Sequence, residues 1–78
     1  MDTTKKVIKL LRKLSGKKSI KLSDNLKKDI ALDSLGLVML LVEIETTFYI
    51  ELDEADMNPL DLLTVSDVVE LVEKYKEA

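Results

Sequence analysis

The stretch from Asp33 to Phe48 constrains the fold more than any other part of the chain. Leu37, Leu40, Leu41, Ile44 and Phe48 recur at steps of three and four, the spacing of one helical face. Asp33 stands where an N-cap is needed, and its carboxylate suits the positive end of the helix dipole. The spacing predicts a helix over 34–48. A second set, Val38, Met39, Val42, Glu45 and Thr46, falls on the opposite side, and three of its five members are apolar. A chain of 78 residues hides only about 60–65% of its unfolded surface. So small a body cannot bury both faces of one helix. Some of Val38, Met39 and Val42 should therefore stay exposed, rimmed by Glu45, as a docking surface for a partner.

The rest of the chain supplies elements to pack on that helix. Val7, Leu10, Leu11 and Leu14, widened by Ile8, predict a first helix over 4–14, stopped by Ser15-Gly16. Val65, Val68, Val69, Val72 and Tyr75 predict a last helix over 65–77, opened by a capping-box pair, Thr64 and Asp67. Residues 17–33 form a long but anchored connection. Ile20 and Leu22 alternate with lysines and suggest extended chain; Ser23, Asp24 and Asn25 can cap a short turn; Leu32 points inward. Residues 49–63 form another connection, in which Asn58-Pro59 starts a short helix. The fold class is all-α: a small bundle of three main helices plus one short one, in a single domain over 1–78.

Composition excludes several chemistries. Without Cys or His, the chain offers no disulfide scaffold, no thiolate, no imidazole ligand and no Ser-His-Asp unit. Phe48, Tyr49 and Tyr75 are the only aromatic residues, too few for a base-stacking platform. Asp56, Asn58, Asp61 and Asp67 fail the EF-hand pattern, because Asp61 stands where that loop requires Gly. The longest apolar run, 35–42, is far short of the roughly 20 residues that span a bilayer, and no targeting segment is visible, so a cytoplasmic location is expected. Charge is unevenly spread. Residues 1–28 hold ten basic and two acidic residues, a balance of +8, and 29–78 hold thirteen acidic and two basic, a balance of −11. The two blocks are expected to attract each other within one fold, with little need of added divalent cations.

Chemistry has one conspicuous place to sit. Asp33-Ser34-Leu35 puts an acidic cap, a hydroxyl at the first helical position and an apolar anchor after an irregular loop. Ser34 should be exposed at the helix N-terminus, where free N–H groups and the dipole favour a phosphate on its oxygen. Taken alone, the tripeptide is a weak signal and reads first as a plain helix start.

The wider pattern is more specific. Asp24-x-Leu26-x-x-Asp29-Ile30-x-x-Asp33-Ser34-Leu35, then Glu45-Thr46-Thr47-Phe48, Ile50-Glu51-Leu52 and Thr64-Val65, resembles the acyl carrier protein family over essentially the whole chain. The resemblance implies that Ser34 carries a covalent 4′-phosphopantetheine arm, flanked by Asp33 and Leu35. The arm would be installed by a phosphopantetheinyl transferase and would bear acyl or aminoacyl thioesters for loading and acyl-transfer enzymes. It implies a non-catalytic monomer that binds no nucleic acid and no metal. The chain departs from fatty-acid carriers at Gly36, in the apolar character of Val38, Met39 and Val42, and in its basic first helix. These departures suggest a carrier for a dedicated pathway. Two other readings remain open: an adaptor whose basic first helix binds an anionic membrane or nucleic acid, and a helical interaction domain without a cofactor.

Overall fold

The computed structural model describes residues 2–77. Three α-helices, α1 (Asp2–Ser15), α2 (Ser34–Phe48) and α3 (Val65–Glu77), carry the fold. Two 3₁₀ turns, Glu54–Asp56 and Pro59–Asp61, lie between α2 and α3. The expected short helix after Asn58-Pro59 is thus one turn, preceded by a second, and the domain is not a four-helix bundle. Asn58 Oδ1 does accept the Leu60 N–H at 3.0 Å, so the start signal works. The turn stops because Leu62 returns to extended backbone and is buried.

The core is one cluster. Val7, Leu10 and Leu11 of α1, Leu37, Leu40, Leu41 and Ile44 of α2, and Val65, Val68 and Val72 of α3 are buried together. Ile20, Leu26, Ile30 and Leu32 from the first connection and Leu52 and Leu62 from the second join them. Phe48 and Tyr75 pack against the cluster half-buried. The apolar stripes read from the sequence are therefore the faces that the helices turn inward, which is where burial stabilises most.

The helix ends follow local chemistry. Gly16 takes a left-handed φ of 76° and donates its N–H to Arg12 O at 2.8 Å, closing α1. Thr64 and Asp67 form the reciprocal box at the start of α3: Thr64 Oγ1 accepts the Asp67 N–H at 3.2 Å, and Asp67 Oδ2 accepts the Thr64 N–H at 3.1 Å. Tyr49 ends α2 in the left-handed region at φ 55°.

Residues 17–33 contain no strand, and Leu22 is exposed rather than part of an extended, half-buried run. The segment is instead sewn to the start of α3. Leu26 N–H donates to Leu63 O at 2.9 Å, Val65 N–H to Asp24 O at 3.0 Å, and Ser66 N–H to Leu22 O at 2.9 Å. The last two satisfy amides that the first turn of a helix leaves without a partner. Within the connection, Asn25 Oδ1 accepts the Lys27 and Lys28 amides, each at 2.9 Å, and Asp29 Oδ2 accepts the Asn25 amide at 2.7 Å. These bonds fold a tight knot of turns that delivers Leu26, Ile30 and Leu32 to the core.

The two charge blocks meet less than their totals suggest. Among the described residues one ion pair crosses between them, Lys13 to Glu43 at 3.4 Å. Lys17–Asp24 lies within the basic block and Lys74–Asp56 within the acidic one.

Candidate functional site

Ser34 is the first residue of α2, and both it and Asp33 are exposed. Asp33 sits in extended backbone, and its Oδ1 accepts the Gly36 N–H at 2.8 Å. One of the free amides at the helix start is thereby satisfied. The Ser34 and Leu35 amides, the first two of the helix, make no described hydrogen bond to the protein. An anion held on Ser34 Oγ would thus find two free N–H groups and the positive end of the dipole.

The site is held from beneath. Leu32 is buried, Leu32 N–H donates to Leu26 O at 2.9 Å, and Leu37 N–H donates to Asp33 O at 2.9 Å. Ala31 takes a left-handed φ of 63° that turns the chain into the helix. A Cβ on Gly36 would lie 3.2 Å from Leu32 Cδ2 and 3.3 Å from Asp33 Oδ1. The missing side chain at this position lets the cap and the buried leucine close around the helix start.

Leu35 is placed differently from the sequence expectation. It is 68% exposed and anchors nothing. The second helical position points away from the core that Leu37 reaches two residues later. Val38, Met39 and Val42 are 44%, 48% and 51% exposed, so the 50–63 segment does not fold over them. Together with Leu35 they make an apolar strip along α2 on the side away from its buried face. Glu45 does not simply rim that strip. It is half-buried, and its Oε2 accepts the Leu52 N–H at 2.9 Å, tying the second connection back to α2. Leu60 and Leu63, which the sequence reading left unassigned, are also exposed, at 67% and 60%. The exposure of two apolar residues flanking buried Leu62 is visible only once the turn is formed.

A second polar cluster lay outside the sequence reading. Tyr75, read as part of the α3 stripe, donates its hydroxyl to Asp56 Oδ2 and accepts the Asp53 N–H at 2.9 Å. Lys74 Nζ reaches the same carboxylate at 3.1 Å. These bonds, first the Tyr75 hydroxyl and then Lys74, hold the Asp56 carboxyl below its ordinary value of 3.8. The same carboxylate raises Tyr75 above 10.0 and Lys74 above 10.5. The cluster pins the first 3₁₀ turn to α3. Among the described residues no group of carboxylates is arranged to hold a metal ion, and no helix is long and apolar enough to cross a membrane.

No curated protein sequence matches the chain. Among solved structures, the fold is similar to the apo doublet acyl carrier protein from prodigiosin biosynthesis, determined in solution, with a TM-score of 0.79 and 18% identity. The match covers 95% of this chain and 36% of that one, so the chain spans about a third of its structural relative. At that identity the likeness concerns the fold. The family model described as "phosphopantetheine attachment site" matches residues 5–72, a span that includes Ser34 and all of α2. A match over most of the chain places the protein in the phosphopantetheine-binding carrier family, whose members bear 4′-phosphopantetheine covalently on a serine.

Proposed function

We propose that Ser34 is the serine that bears the arm, and that the domain presents acyl or aminoacyl thioesters on it to partner enzymes. The observation that carries this reading is the exposed hydroxyl at the first position of α2, with Asp33 capping Gly36 and two amides left free. In the loading step Ser34 Oγ forms a bond to the phosphorus next to the pantetheine of coenzyme A. The bond from that phosphorus to 3′,5′-ADP breaks, and a base on the transferase takes the hydroxyl proton. The phosphodiester left on Ser34 fits the helix start, where N–H groups and the dipole favour negative charge. The arm's thiol supplies the thioester chemistry when present. The chain itself has no cysteine to compete for the cargo.

The strip of Leu35, Val38, Met39 and Val42 is the proposed docking surface. It begins beside Ser34 and runs along the exposed face of α2, so a partner gripping it would also meet the arm. Acidic residues are absent from the first turn of α2, so recognition there is mainly apolar. That feature, Gly36 and the basic α1 support a carrier dedicated to one pathway. The test is intact mass after incubation with coenzyme A and a promiscuous phosphopantetheinyl transferase. One phosphopantetheinyl addition is expected, abolished in Ser34→Ala while the helical circular dichroism persists. Equal loading of Ser34→Ala would overturn the assignment.

A further inference from the structure

Of the basic residues of α1, Lys13 alone makes a described ion pair with the acidic half of the chain, and three of them line a groove. Lys6, Lys9 and Lys13 recur at steps of three and four and so share one face of α1. With Leu10, Thr47 and Tyr49 they enclose a groove of about 650 Å³ between α1 and the C-terminal end of α2. Glu43 is its one acidic member, paired with Lys13. Lys6 Nζ lies 5.9 Å above the Phe48 ring, and Tyr49 is 94% exposed at the groove's edge. Thr47 lies thirteen residues beyond Ser34, roughly 20 Å along the axis of α2. The Thr47 end of the groove is therefore remote from the Ser34 attachment point, and the groove shares no residue with the apolar strip, whose far end, Val42, precedes Glu43 in the chain.

We infer that this groove is a second docking surface, which receives an acidic segment of a partner protein carrying an apolar side chain. Charge complementarity argues for the acidic segment: three ammonium groups face the groove against one carboxylate. The exposed phenol of Tyr49 and the concave shape argue for a side chain that inserts. A membrane surface fits less well, because Val7, Leu10 and Leu11 of α1 are buried in the core and leave no apolar face to enter lipid. A second copy of the chain, whose Glu51, Asp53, Glu54 and Asp61 are exposed, is separated from this reading by its dependence on protein concentration.

The test uses the full chain, isotopically labelled, titrated with an amphipathic peptide of glutamates with leucines at helical spacing. The amide signals of Lys6, Lys9, Lys13, Glu43, Thr47 and Tyr49 should shift, and those of Ser34 and Met39 should not. The triple variant Lys6→Glu, Lys9→Glu, Lys13→Glu should bind the peptide roughly tenfold more weakly or worse, a loss of about 1.4 kcal/mol or more. A control triple variant, Lys18→Glu, Lys21→Glu, Lys27→Glu, changes net charge equally on exposed residues of the first connection and should bind nearly as the parent does. Loading of Ser34 by the transferase reports that each variant is folded and is scored separately. The inference fails if both triple variants lose binding equally, since net charge alone would then be responsible. It fails as well if the peptide shifts signals elsewhere, if vesicles of phosphatidylserine and phosphatidylcholine bind the groove while the peptide does not, or if the shifts appear on raising protein concentration without peptide.

Discussion

Asp33 and Gly36 are coupled through one hydrogen bond and one tight contact. Asp33→Ala should lower stability by about 1 kcal/mol, the usual worth of a helix cap. Loading of Ser34 should slow as the first turn frays. Chemical denaturation and the initial rate of mass gain check the two effects together. Gly36→Val should be worse for the fold than Gly36→Ala, because its branched methyls add to the crowding that a Cβ alone already meets at buried Leu32 and at the cap. The cap was legible in the sequence because it acts over three residues. The fate of Leu35 was not. An apolar residue after Ser34 suggests an anchor, yet at the second helical position it projects outward, as its 68% exposure shows. Glu45 illustrates the other limit. Its bond to the Leu52 amide joins residues seven apart across a turn, and no periodicity encodes such a bond.

At the level of elements, α2 divides into a face that holds the domain together and a face that does not. Leu40 is fully buried, and Leu40→Ala should cost about 2–5 kcal/mol, much of the stability of a domain this size. Met39, its neighbour, is 48% exposed. Met39→Glu or Val42→Glu should leave the melting temperature nearly unchanged and reduce acyl transfer by roughly tenfold, the effect of about 1.4 kcal/mol. If either variant unfolds, the strip is core and the docking proposal falls. The link between α3 and the first 3₁₀ turn carries a pH dependence. Asp56 is held below 3.8, so its contribution is complete above that value and is lost as pH falls through the lower folded value. Tyr75, held above 10.0, contributes fully below that value and loses its contribution as pH rises through the higher folded one. Melting curves of the parent and Asp56→Asn should therefore differ at neutral pH and converge as pH falls through the lowered folded value. The helices themselves were readable from their periodicity. This link was not, because Tyr75 looks in sequence like one more member of an apolar stripe.

The whole molecule is dipolar in charge without being held together by charge. Its radius of gyration, 11.2 Å, is close to the roughly 11.5 Å expected of a compact chain of this length. Compactness comes from the shared core, since only Lys13–Glu43 bridges the two charge blocks among the described residues, and Lys13 is 65% exposed. A pair so exposed is worth at most about 1 kcal/mol. Raising salt from low to physiological strength should accordingly shift the melting temperature little. A large fall would show that the two halves are held by their opposite charges after all. The bonds from Leu26, Val65 and Ser66 that sew the first connection to α3 have a further consequence for how the molecule survives in a cell. Lys17, Lys18, Lys21, Lys27 and Lys28 give that connection five trypsin sites, in a segment that contains no helix. Cleavage requires a stretch of chain to detach and enter the protease, and here detachment breaks the start of α3 and pulls Leu26 and Ile30 out of the core. The native connection should then be cut about as slowly as the domain unfolds globally, so that proteolysis reports the state of the whole fold.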